Sequence, residues 1–276
     1  MTESSPTILT TTINRGWMTK MVIIALFMCA FGLWGLYDAL VAYPARGERA
    51  ASFYQKEYLT LLENRQDGSL LTRSSVSDPQ AEYQALSQKR EGNTLAEEEL
   101  PKLLWLEQLK LIGRLKPEHT TLTDPRTTLE DLKARWNTSQ SSSPQELSWY
   151  DIPAQWVIMA VGVGVGLYLL GLIAVVRRTK YQWEPQSQRL HLPSGATLVP
   201  ADIELFDKRK WDKFMIYLKI KPSHPQLGGR EVELDLLRHS PLEDWVLAME
   251  RTAFPESTEE PQTPAEPTPP APTPTA

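Results

Sequence analysis

Few side chains in this chain combine the residue type and the spacing that chemistry needs. Its four histidines are His119, His191, His224 and His239. None sits in an H-E-x-x-H or comparable metal-ligand pattern. Asp235 and His239 are four residues apart, but an expected strand-to-helix boundary between them breaks that register. No G-x-S-x-G nucleophile elbow occurs. One cysteine, Cys29, excludes an intrachain disulfide and a cysteine-based zinc site. Gly162-Val163-Gly164-Val165-Gly166 has the glycine content of a nucleotide loop. Its spacing is not G-x-G-x-x-G, and no strand precedes it. The expectation is a protein that is not an enzyme, with no catalytic residue, no cofactor and no metal.

The same glycines gain meaning from the element that carries them. Gln155 to Val176 is an apolar run introduced by Trp149, Tyr150 and Trp156, aromatic residues suited to the headgroup level. A second run, Met21 to Tyr43, has no charged residue before Asp38. At 1.5 Å per residue each is long enough, as a helix, for a hydrocarbon core of about 30 Å. The first run is longer than a signal-peptide core and no small-residue cleavage site follows, so it is read as a retained anchor. Gly162-x-x-x-Gly166 then becomes a smooth helix face, with Gly32 and Gly35 of the first run, or a second copy, as its packing partner. Asp38, near one end of that run, is expected to reach the interface.

Charge sets the expected orientation. The 16 residues before the second run contain no Lys or Arg, and the 16 after it contain four, beginning with Arg177, Arg178 and Lys180. The positive-inside rule puts that side in the cytoplasm. Two spans then place both termini there, with residues 44–154 outside. The chain divides into a cytoplasmic segment 1–20, spans 21–43 and 155–176, an extracytoplasmic helical domain 44–154, a cytoplasmic α+β domain 177–255 and a tail 256–276. The expected setting is a bacterial cytoplasmic membrane. The overall mean hydropathy of -0.34 averages over these parts.

Residues 44–154 carry 14 basic and 17 acidic side chains and read as a helical hairpin or small bundle. Asp78-Pro79 and Asp124-Pro125 offer an N-cap followed by proline at the first helical position. Thr94 to Glu97 and Ser143 to Glu146 have capping-box spacing. Leu100, Leu104, Ile112 and Leu115 predict one buried stripe, widened by Leu103, Leu109 and Leu111. Ala50, Phe53, Tyr54, Leu61 and Leu62 predict another that continues the first span. Thr138–Ser143 reads as a polar linker.

In residues 177–255, Phe214, Ile216, Leu218 and Ile220 alternate with Met215, Tyr217 and Lys219, a strand with one buried face. Val232, Leu234 and Leu236 form its partner across Gly228-Gly229. Short strands are expected around Leu190–Leu192 and Thr197–Val199, across Pro193-Ser194-Gly195. Ser240-Pro241-Leu242-Glu243 predicts a capped helix with Leu242, Trp245, Val246, Met249 and Ala253 on its inner face. This element order resembles the bacterial pleckstrin-homology-like domains, bent antiparallel sheets closed by a C-terminal helix, with fewer strands than a full domain of that kind. Asp207 to Phe214 and Lys219 to His224 are similar to phrases in bacterial two-span membrane proteins of the same layout. That resemblance implies an architecture and no activity. The tail, with seven prolines in 21 residues, is too poor in apolar residues to form a core and is expected to be disordered.

Two functional readings follow. The first is a non-enzymatic membrane scaffold or assembly subunit, in contact with the bilayer, that binds a protein partner or itself through its outer helices and cytoplasmic domain. The second is a sensor or lipid-binding protein. Its Lys208, Arg209, Lys210 and Lys213, with Arg177, Arg178 and Lys180, would meet anionic headgroups. Residues 177–255 hold 13 basic and 11 acidic side chains, too even for a nucleic-acid face.

Overall fold

The computed structural model describes residues 7–137 and 143–255. The tail 256–276 and linker residues 138–142 lie outside the described residues. The described residues form two compact units, one within residues 25–167 and one combining residues 7–24 with 168–255.

The first unit is helical. α1 (Arg15–Tyr37) runs through a π-helical turn, Asp38–Ala42, into α2 (Tyr43–Asn64), so residues 15–64 form one continuous helix. α3 (Ser69–Arg73), α4 (Pro79–Glu91), α5 (Leu100–Leu111), α6 (Pro117–Thr120), α7 (Pro125–Trp136) and α8 (Asp151–Arg178) follow. The long helix and α8 are both long and apolar enough to cross a membrane. They exceed the expected spans: α1 begins at Arg15 and α8 at Asp151, because helical hydrogen bonding continues into the polar flanks. The core of this unit gathers Ala51, Tyr58, Leu59 and Leu62 of α2 with Leu103, Trp105, Leu106 and Leu109 of α5 and Leu129 and Leu132 of α7.

Some local expectations need correction. Asp78 caps α4 by accepting from Ala81 N (3.1 Å), and Asp124 caps α7 through Arg126 N and Thr127 N (3.1 and 3.3 Å). The Thr94 box does not form. Thr94 Oγ1 donates to Lys89 O, and Glu99 rather than Glu97 reaches back, to Ala96 N. Nor does the Ser143 box, since residues 143–148 carry no helix. On α5 the buried face is Leu103, Leu106 and Leu109, while Leu100 is 39% exposed. The helix starts only at Leu100, and Trp105, the largest apolar side chain, turns inward and fixes the phase.

The described residues of the second unit form small antiparallel sheets closed by one helix. β1 (Leu9–Thr10) pairs antiparallel with β3 (Gln182–Glu184), and β2 (Thr12–Ile13) pairs with β9 (His239–Ser240). β3, β4 (Arg189–His191) and β5 (Thr197–Leu198) continue the first sheet. β6 (Ile203–Asp207), β7 (Met215–Ile220) and β8 (Glu231–Asp235) make a separate three-stranded sheet. α9 (Leu242–Ala253) lays Leu242, Trp245, Val246 and Met249 on the shared core with Leu190, Leu198, Ile216, Leu218 and Leu234. Phe214 departs from the expected alternation. It adopts φ 56° at the turn before β7 and is 46% exposed. The Ser240 capping box is also absent. Pro241 occupies the cap position with no side-chain cap, because Ser240 is drawn into the pair with Thr12.

The largest addition is in the N-terminal segment, which the sequence reading set apart from both domains as segment 1–20 without assigning it any element. Residues 9–13 supply two strands. Thr11, 1% exposed, donates its N–H to Tyr181 O (2.9 Å) and accepts at Oγ1 from Tyr181 N (3.0 Å). Lys180 Nζ donates to Thr11 O (3.4 Å), Asn14 N donates to Arg238 O (2.9 Å), and the Arg238 guanidinium lies 5.6 Å from the Trp17 ring. The start of α1 and the end of α8 thus meet the same small domain.

Candidate functional site: a glycine-faced helix pair and its polar clamp

Within residues 25–167 the structure brings the predicted glycines together. A Cβ built on Gly162 would lie 2.7 Å from both Cα and N of Gly32 and 2.9 Å from Met28 O. One on Gly35 would meet Ile158 Cγ2 at 2.9 Å and Gln155 O at 3.0 Å. One on Gly166 would meet Cys29 Sγ at 2.3 Å and Ala25 O at 3.0 Å. At Gly32 and Gly162 the nearest obstructing atoms are backbone and leave no room for a side chain, whereas at Gly35 and Gly166 the nearest atoms belong to the Ile158 and Cys29 side chains, with backbone at about 3.0 Å. Close approach of this kind gives the two helices extensive van der Waals contact, which small residues permit. Gly164 and Gly171 face open space.

Just past the π turn, polar groups join the same two helices. Gln155 Nε2 donates to Tyr43 OH (3.2 Å). The Arg46 guanidinium donates to the Asp151 carboxylate (2.8 Å) and to Glu146 O (2.6 Å), and stacks 5.1 Å from the Tyr43 ring. Asp151 also accepts from Ser148 N (2.9 Å), which fixes the start of α8. Tyr54 OH donates to the Glu146 carboxylate, and burial, with that carboxylate beside it, pushes the phenol well above its usual range. This clamp holds the irregular segment that replaces the expected Ser143 helix start. Sequence reading missed it. Its signal is a Tyr43–Arg46–Gly47 turn facing an acidic residue at the head of α8, and that pairing is invisible until the hairpin is closed. Asp38 lies in the π turn and accepts from Trp34 Nε1 (3.0 Å).

In the second unit the predicted cations are not a uniform basic face. Lys208 pairs with Glu250 (2.7 Å), Arg209 pairs with Glu231 and Asp207, and Lys210 donates to Tyr217 OH (2.7 Å). That hydrogen bond holds the Lys210 ammonium above its usual pKa. Lys180 is turned to Thr11 O. Arg177, Arg178 and Lys213 remain exposed.

The histidines are spoken for or isolated. His224 Nδ1 accepts from Gln226 N and Leu227 N, leaving Nε2 to donate to Thr197 O (2.9 Å). His191 lies 3.1 Å from Glu184, whose carboxylate also accepts from Ser187 and is held below its usual pKa by Ser187 and then His191. His239 packs edge-on to Tyr181 (5.1 Å), and desolvation lowers its pKa. Among the described residues no group of three His, Cys, Asp or Glu side chains is placed to hold a metal. Set against known proteins, the chain matches no family model, no curated protein and no solved structure.

Proposed function

We propose that this is a two-span integral membrane scaffold. It would hold a helical domain on the outer face and an α+β domain in the cytoplasm, each presenting a surface to another protein. The observation that carries the reading is the pairing of residues 9–13 with β3 and β9. With two apolar helices between them, a shared domain at both inner ends asks for a hairpin that leaves and re-enters on one side. The glycine contact and the Arg46 clamp suit a hairpin that acts as a fixed frame. The cations after α8 suit a cytoplasmic assignment for that side. The pleckstrin-homology-like reading of the C-terminal domain remains part of the proposal, and the two N-terminal strands supply some of the strands that residues 177–255 lack for it.

The lipid reading narrows to Arg177, Arg178 and Lys213, since the other cations of the cluster are engaged by protein groups. Cysteine labelling tests the topology in a Cys29→Ser background. A membrane-impermeant maleimide should label Gln88→Cys in intact cells and reach Ile8→Cys and Arg251→Cys only after lysis. Labelling of all three in intact cells would overturn it. Crosslinking in native membranes tests the scaffold role, and a chain that yields only the monomer would refute it. Flotation with anionic vesicles that survives Arg177→Gln, Arg178→Gln and Lys213→Gln together would remove the remaining lipid contact.

A further inference from the structure

A cleft of about 390 Å³ in the helical unit opens between α4 and the turn that ends α5. Small-molecule sites commonly span about 300–1,000 Å³. One wall is a single face of α4, since Gln80, Tyr83 and Gln84 are three and four residues apart. The other wall is built by the end of α5. Arg114 N donates to Leu109 O (2.8 Å) and Gly113 N to Lys110 O (3.0 Å), with Gly113 in the left-handed conformation at φ 72°. This glycine-terminated turn reverses the chain and sets Lys110 and Lys116 on the rim of the same cleft.

The charge of this cleft differs from that of its neighbours. The cleft beside Tyr58 sets Arg65 against Glu98 and Lys102 against Glu82. The one beside Leu70 holds Arg126 with Glu63 and Glu130. No carboxylate lines the Gln80–Lys116 cleft. Among the described residues neither lysine has an ion-pair partner, although Lys89, Arg90, Arg114 and Lys133 of the same unit do. The Lys110 ammonium lies 4.3 Å from the centre of the Tyr83 ring, where a π face favours the cation without neutralising it. Two ammonium groups can only donate hydrogen bonds, while two glutamine amides donate and accept. A simple anion would satisfy the donors and leave the amide oxygens unused. A hydroxylated anion satisfies both.

We propose that this cleft binds a carbohydrate bearing a negative group, with Lys110 and Lys116 taking the carboxylate or phosphate and Gln80 and Gln84 taking hydroxyls. The test is calorimetric titration of the full chain in detergent micelles with glucuronate, glucose 6-phosphate, glucose and acetate. Glucuronate or glucose 6-phosphate should bind at least about tenfold more tightly than glucose or acetate, and added salt should weaken binding. Whichever of the two binds better identifies the anionic group. Lys110→Gln with Lys116→Gln should abolish binding. Both side chains are exposed, and an unchanged circular dichroism spectrum checks that this variant folds. Gln80→Ala with Gln84→Ala should bring the charged sugar down to the affinity of acetate. No binding of either charged sugar, equal binding of glucose or acetate, or binding that survives the lysine pair would each overturn the proposal.

Discussion

Replacing Gly162 by alanine adds one methyl group to the most crowded point of the helix pair. The new Cβ would lie 2.7 Å from Gly32 Cα and N, about 0.7 Å inside the 3.4 Å at which ordinary contact begins. The obstructing atoms are backbone, so no rotamer change relieves them, and α8 must move away from α1. Overpacking of this kind costs about 1–3 kcal/mol, and the separation also loosens Val163 against Gly32. Gly164→Ala is the matched control, two residues along the same helix. Nothing lies within 4 Å of its Cβ, and alanine is the better helix former by up to about 1 kcal/mol. Gly166→Ala should fall between. Its closest neighbour, the Cys29 thiol at 2.3 Å, can rotate, but Ala25 O at 3.0 Å cannot. Reversible unfolding in mixed micelles, followed by circular dichroism, should rank the stabilities Gly164→Ala, then Gly166→Ala, then Gly162→Ala. If Gly162→Ala and Gly164→Ala prove equally stable, the two helices do not pack through this face and the hairpin geometry is wrong.

Arg46→Gln removes a half-buried ion pair and a bond to Glu146 O, and should cost about 1–3 kcal/mol. A double-mutant cycle with Asp151→Asn should recover a coupling of about 1 kcal/mol between the two residues. Thr11→Val keeps the shape of a buried side chain but strands Tyr181 N. It should cost about 1–3 kcal/mol and raise amide exchange selectively at Tyr181 and its strand neighbours. The folded-state pKa of His239 is depressed from 6.5 by desolvation. The unfolded chain therefore takes up the proton first, so stability is full above about pH 6.5 and falls as the pH drops toward the folded-state value. His239→Phe should flatten that fall in pH-dependent melts. Deleting Leu40, 57% exposed in the π turn, should leave a regular helix of nearly native stability, whereas inserting an alanine at the same point should destabilise strongly.

Much of the fold is readable from periodicity where one face is buried and the other is not. α9 and β7 place Trp245, Val246, Met249, Ile216 and Leu218 inward as their spacing requires, but Tyr217, expected on the open face of β7, is buried too because Arg209 and Lys210 lie against it. The aspartate–proline caps of α4 and α7 are local signals, and they hold because nothing distant competes for those backbone groups. The serine boxes at Ser143 and Ser240 failed for the opposite reason. Glu146 is taken by Tyr54 and Arg46, and Ser240 by Thr12, partners 92, 100 and 228 residues away in sequence. Residues 9–13 were illegible as strands because two-residue strands show no alternation. Only the β-branched run Thr10-Thr11-Thr12-Ile13 hinted at extended backbone. The glycines were legible as a small-residue face from their own spacing. The clamp beside them was not, since its members come from three segments that only the closed hairpin brings together.

The π turn shows how one sequence serves two differently spaced surfaces. Along the long helix the inward positions are Gly32 and Gly35, then Ala39, the half-buried Tyr43 and Gly47, then Ala50 or Ala51, and later Tyr58. From Gly35 to Gly47 the steps are four, four and four. A regular α-helix turns 100° per residue, so those twelve residues would overshoot three turns by about 120°. Gly47 would then leave the side where Ile112 and Leu147 lie within 2.6 Å of its would-be Cβ. A π turn absorbs one extra residue and with it most of that rotation. The turn at Asp38–Ala42 therefore lets a close-packed glycine face and a wider tyrosine–leucine face point the same way along one unbroken helix. A purely α-helical path would have to expose one face in order to bury the other. The irregularity sits at the junction between the two packing regimes, where neither the helix pair below it nor the bundle above it would tolerate the missing rotation.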